Sequence, residues 1–90
     1  MTIVRNAVAG TLESSDLYVE VSPTDGGNVI EIESVVINRF GEAIRSVVSD
    51  VLEKCGVENA AVVISDKGAL ECVIRARVET ALKRAGEVPR

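Results

Sequence analysis

Histidine and tryptophan are absent from this sequence, and Tyr18 and Phe40 are its only aromatic side chains. Without an imidazole the chain cannot build a Ser-His-Asp or Cys-His nucleophilic centre. It also lacks the commonest general base, and most structural zinc sites are closed to it. Two aromatics are too few for platforms on which nucleic-acid bases stack. The net charge of −4 has the wrong sign for gripping a phosphate backbone. No apolar run approaches the length of a membrane span, and the N-terminus lacks the charged-then-apolar layout of a secretion signal. Cys55 and Cys72 are the only thiols; with neither His nor a CxxC spacing they read as buried free thiols in a reducing compartment. These absences predict a soluble cytoplasmic domain that is not a self-sufficient hydrolase and has no metal, nucleic-acid or membrane site.

What is present is β-branched. Sixteen Val and seven Ile make up about a quarter of the 90 residues, which favours a substantial sheet over a helical bundle. Residues 1–90 are long enough for one domain only. An apolar run from Ala7 to Leu12 is followed by Glu13-Ser14-Ser15-Asp16, a polar connection of hairpin length. Leu17, Val19 and Val21 then alternate with Tyr18, Glu20 and Ser22, the period of a half-buried strand. Pro23-Thr24-Asp25-Gly26-Gly27-Asn28 is a strong turn signal, and Ile30 and Ile32 alternate with Glu31 and Glu33 beyond it. Three strands joined by short turns read as an antiparallel meander.

After Ser34, a plausible N-cap, the apolar period becomes helical. Val36/Ile37, Phe40, Ala43/Ile44, Val47/Val48, Val51/Leu52 and Cys55 form one stripe, with Gly56 placed to end it. The continuous run from Ala60 to Ile64 predicts a strand central in its sheet. A second helix carries Leu70, Val73/Ile74, Val78, Ala81/Leu82 and Ala85, with Gly86 and Pro89 beyond its end. The β-β-β-α-β-α order implies a right-handed crossover around the first helix. It predicts an α+β two-layer sandwich, a mixed four-stranded sheet with both helices on one face.

Few residues invite a chemical role. Gly26-Gly27 is a turn without the Lys-Ser/Thr pair and following helix of a phosphate loop. Glu31 and Glu33 share a strand face and read as solvated, not as an acid–base pair. Charge is uneven: residues 1–36 carry a net −5 and residues 37–90 a net +1. An acidic half suits a partner surface rich in Arg or Lys, although the same charge also serves solubility. Ser14 has no His to activate it as a nucleophile. On a turn braced by two strands it can instead accept a group attached by another enzyme, though serines are common in turns for local hydrogen bonding alone.

The segment Ala7-Val8-Ala9-Gly10-Thr11-Leu12-Glu13-Ser14-Ser15-Asp16 resembles the N-terminal signature of the citrate lyase acyl carrier proteins, the γ subunits of that complex. The likeness continues through Phe40-Gly41-Glu42-Ala43-Ile44-Arg45, Asp50-Val51-Leu52, Asp66-Lys67-Gly68-Ala69-Leu70-Glu71-Cys72 and Ile74-Arg75-Ala76-Arg77, and is loose over residues 18–33. The resemblance implies that Ser14 carries 2′-(5″-phosphoribosyl)-3′-dephospho-coenzyme A through a phosphodiester. It also implies that the chain holds acetyl and citryl thioesters while citrate is cleaved to oxaloacetate and acetate. The implied partners are the α (CoA-transferase) and β (citryl lyase) subunits and a prosthetic-group transferase; the carrier itself is non-catalytic. Members of the family often have Gly after the modified serine, where this chain has Ser15, which leaves Ser15 as the minor candidate for attachment.

Three alternatives stand beside this reading. The carrier subunit of malonate decarboxylase uses the same kind of group on a related domain. A non-catalytic α+β interaction or ligand-binding module requires no covalent modification. An acylphosphatase has a similar length but needs βαββαβ order, against which three consecutive strands argue.

Overall fold

The computed structural model describes residues 1–35 and 37–87, with backbone alone for residues 37–41. Its elements are β1 Thr2–Ile3, β2 Ala7–Gly10, β3 Leu17–Pro23, β4 Val29–Ser34, α1 Ile37–Lys54, β5 Ala60–Asp66, α2 Glu71–Ala85 and β6 Gly86–Glu87. Strands β2 to β5 form one mixed sheet in the order β2-β3-β5-β4, and β1 pairs with β6 in a separate ribbon. The β-β-β-α-β-α order and the α+β class expected from the periodicities are those of this sheet and its helices. The ribbon joining the two ends of the chain was not foreseen, because two-residue strands leave no period to read.

Alternation in the strands sets the layers. Leu17, Val19 and Val21 of β3 and Ala60, Val62 and Ile64 of β5 are buried beneath the helices. The opposite sheet face has no helix over it among the described residues and presents Val8, Glu20, Val63, Glu31 and Glu33. α2 contributes Ile74, Val78, Ala81, Leu82 and Ala85 to the core, and α1 contributes Ile44, Val47, Val48, Val51 and Leu52. Full burial of side chains such as Leu17, Leu52, Ile64 and Leu82 stabilises the fold by about 1.5–3 kcal/mol each. α1 ends as its glycine requires: Gly56 is left-handed at φ 66°, its N–H donates to the Glu53 carbonyl, and the Val57 N–H donates to the Leu52 carbonyl. This is the double bond pattern of a glycine-terminated helix.

Four details differ from the sequence reading. The first three core strands are not a simple meander. β5 lies between β3 and β4, antiparallel to the former and parallel to the latter. The loop after β3 therefore crosses the start of β5 instead of folding back, and side-chain amides tie it there. Asn28 donates to the Val57 carbonyl and accepts from the Ala60 N–H, while Asn59 accepts from the Gly27 N–H. Periodicity finds strands but not neighbours, and an apolar central strand such as β5 recruits partners on both edges. Secondly, Cys72 is exposed, because it lies about half a turn from Ile74 and faces away from the core; Cys55 packs at its margin. Thirdly, Leu70 is exposed at the start of α2 and is not part of its buried stripe. Fourthly, Ser34, expected as the cap of the first helix, is instead the last residue of β4, three positions before α1 begins, and its buried hydroxyl donates to Asp66. The stripe positions at residues 36–40 and Pro89 lie outside the described side chains.

Candidate functional site

The turn between β2 and β3 places Ser14 and Ser15 in solvent at one end of the sheet. The strands converge there because Gly10 pairs with Tyr18. The chain then turns through Leu12 to Ser15, where the Asp16 N–H donates to the Glu13 carbonyl at 3.2 Å. Ser15 has φ 66°, a left-handed conformation that glycine adopts freely and serine only at a cost. Ser15 thus holds, in this chain, the backbone state that glycine favours. Among the described residues no group pairs with the Ser14 hydroxyl.

The turn is braced from two sides. On one, the ladder between β3 and β5 runs past the strand ends: the Ser15 N–H donates to the Lys67 carbonyl at 2.8 Å and the Lys67 N–H donates to the Asp16 carbonyl at 2.9 Å. On the other, the Asp16 carboxylate gathers four donors. Oδ2 accepts from the Thr11 hydroxyl at 2.6 Å and from Arg77 Nη2 at 3.0 Å, and Oδ1 accepts from the Leu17 N–H at 2.7 Å and from Arg77 Nε at 3.1 Å. The Thr11 hydroxyl in turn accepts from the Glu13 N–H. The Thr11 bond, followed by Arg77 and the Leu17 N–H, holds the Asp16 carboxyl below its ordinary range, at about 2. Such a carboxylate is ionised at any physiological pH.

Asp66 supports the same end of the molecule from beneath. It is buried, accepts from the Ser34 hydroxyl at 2.8 Å and the Ala69 N–H at 2.9 Å, and so links the end of β4 to the turn that carries Lys67. Beside that turn an apolar groove of about 410 Å³ runs between α1 and the start of α2, lined by Ile44, Val47, Leu70 and Ile74.

The structure thus puts Ser14 where the sequence reading put it, on an exposed turn between two strands. It adds the bracing, which that reading missed. Thr11 and Asp16 flank the turn and are residue types that bond local backbone, a signal that was available. Arg77 lies 61 positions from Asp16 and gave no local sign of reaching it. Among the described residues no group of three potential metal ligands comes together, and no helix is long and apolar enough to cross a membrane.

With this geometry in hand, known proteins give a consistent comparison. The family model described as malonate decarboxylase delta subunit (MdcD) matches residues 4–85. A citrate lyase acyl carrier protein from Pectobacterium atrosepticum is 52% identical over 85 residues, covering 94% of this chain and 88% of the relative. Another, from Escherichia fergusonii, is 54% identical over 88 residues, covering 97% of this chain and 91% of the relative. Among solved structures, a chain of a Pseudomonas malonate decarboxylase hetero-tetramer in complex with malonate has the same fold. It matches with a TM-score of 0.79 at 21% identity, over 96% of this chain and 93% of that one.

Proposed function

From the premise that this chain belongs to the acyl carrier family of citrate lyases and malonate decarboxylases, we propose that it is the covalent carrier subunit of a citrate lyase, with Ser14 as the anchor of a CoA-derived prosthetic group. The acyl carrier role follows from membership; the anchor, the group and the reaction are our reading. The observation that supports it best is the exposed, unpaired Ser14 hydroxyl on a turn held by Thr11, Asp16, Lys67 and Arg77. A free hydroxyl in solvent suits esterification by a phosphate, since nothing in the fold must break to release it. The group, 2′-(5″-phosphoribosyl)-3′-dephospho-coenzyme A, supplies the thiol that bears acyl groups.

The chain's own residues then do mechanical work. Strands β2 and β3 hold the anchor at the edge of the domain, the β5–α2 turn backs it, and Asp16 ties it to α2. A tether on a fixed mount converts encounters with a free thioester into intramolecular ones by raising effective concentration. The carrier must reach the CoA-transferase (α) and citryl lyase (β) subunits in turn, so its contacts with each are brief. This reading places it in the cytoplasm.

The test is charging by a citrate lyase prosthetic-group transferase in co-expression. Wild-type chain gains the mass of the group and Ser14→Ala stays folded and bare; charging of Ser14→Ala at the wild-type level contradicts the assignment. The match to the malonate decarboxylase delta subunit model favours a second reading, carriage in that enzyme. The about 52% identity to citrate lyase carriers favours the first. Reconstitution of charged carrier with each set of catalytic subunits separates the two.

A further inference from the structure

Two hydroxyls stand side by side in the exposed turn, and the proposed function uses one. We infer that the Asp16–Arg77 pair is a positioning clamp that fixes the turn so that Ser14, and not Ser15, is offered for modification. This inference rests on the reading of Ser14 as the anchor and adds the residues that make the choice.

The geometry is specific to Asp16. Its side chain takes both forked donors of Arg77, and the two oxygens also take the Thr11 hydroxyl before the turn and the Leu17 N–H after it. One carboxylate therefore joins both ends of the turn to a helix. Arg suits this place because its planar fork meets a carboxylate with two parallel bonds, which fixes orientation as well as distance. The Ser15 backbone is committed to the left-handed state, and its N–H is spent on the Lys67 carbonyl. Serine holds φ 66° against its own preference, so the surroundings must impose that state. Asp16, next in sequence, is the residue through which α2 imposes it. Released from the clamp, the turn would sample conformations in which Ser15 takes the place of Ser14.

Co-expression or in vitro charging with the prosthetic-group transferase, followed by mapping of the peptide covering residues 6–39, tests this directly. Wild-type chain is expected to carry the group on Ser14 alone. Asp16→Asn and Arg77→Met are expected to distribute it over Ser14 and Ser15. They should also raise the transferase KM for the carrier about tenfold with kcat little changed, because only a fraction of turns is competent at any moment. Arg77→Lys, with a cation but no fork, is expected to fall between. The Arg77 side chain is 41% exposed, so Arg77→Met keeps the fold testable if Asp16→Asn does not, and near-identical amide exchange in β3 and β5 checks this. Unchanged KM and exclusive Ser14 charging in both variants would overturn the clamp while leaving the anchor intact. A bare wild-type chain would instead defeat the anchor itself.

Discussion

A Cβ on Gly10 would stand 1.8 Å from the Leu17 carbonyl oxygen, closer than any two such atoms can approach. Gly10 also has φ 89°, and it is the last residue of β2 before the turn that carries Ser14. The two strands therefore meet at this end of the sheet only because one residue has no side chain. Gly10→Ala combines a left-handed backbone with a clash against main chain, which cannot rotate away. It is expected to lower stability by at least about 2 kcal/mol, against about 1 kcal/mol for Gly27→Ala, which has a similar φ but open space around it. Urea midpoints of the two variants measure the difference.

Ser15→Gly should act in the opposite direction. It removes the cost of a left-handed serine, partly offset by the extra freedom glycine has when unfolded, for a net gain of about 0.5 kcal/mol. Thermal unfolding checks this. Charging at Ser14 is expected to continue.

The pH dependence of stability carries a signature of Asp16. Its folded value of about 2 lies below the ordinary 3.8, so the folded state binds the proton more weakly than the unfolded one. The stabilisation is therefore complete above about pH 5 and is lost as pH falls through 3.8 towards 2. Asp50 shifts in the same direction because Arg75 and Lys54 bond it, and adds to the same acid loss. Denaturant unfolding of wild type and Asp16→Asn between pH 6 and pH 2 is expected to show the gap between them narrowing as the solution is acidified. A constant gap would mean that ionisation of Asp16 adds nothing to stability.

The structure shows which parts of this arrangement could be read from residue order. Strand and helix periods were legible because Leu17, Val19 and Val21 alternate, and because Ile74, Val78, Ala81 and Leu82 recur at helical steps. The exposed Ser14 was legible from its polar neighbours between two apolar runs. Strand neighbours were not legible, since periodicity does not say which strands pair, and the bonds by which Asn28 and Asn59 tie the loop after β3 to the start of β5 join residues 32 positions apart. Nor was the Asp16–Arg77 ion pair, because the two residues become adjacent only when α2 packs on β2 and β3. Cys72 was misjudged although its place about half a turn from Ile74 already turns it from the core, and Leu70 was misjudged because it precedes the first helical residue, Glu71, so the helical period does not reach it.

Asp66 braces the same end of the sheet from within. Asp66→Ala withdraws the acceptor that the Ser34 hydroxyl and the Ala69 N–H share in a buried site. A loss of about 2–3 kcal/mol is expected, measured by urea unfolding. Its effect on charging is expected to follow the folded fraction alone, in contrast to the KM change expected for Asp16→Asn.

The most direct measurement of the central claim is the mass of the intact chain purified from the organism that makes it, followed by sequencing of the peptide covering residues 6–39. A phosphodiester-linked, thiol-bearing adduct on that peptide, localised to Ser14, is expected. An unmodified peptide in cells actively cleaving citrate, or an adduct on any other residue, would contradict it.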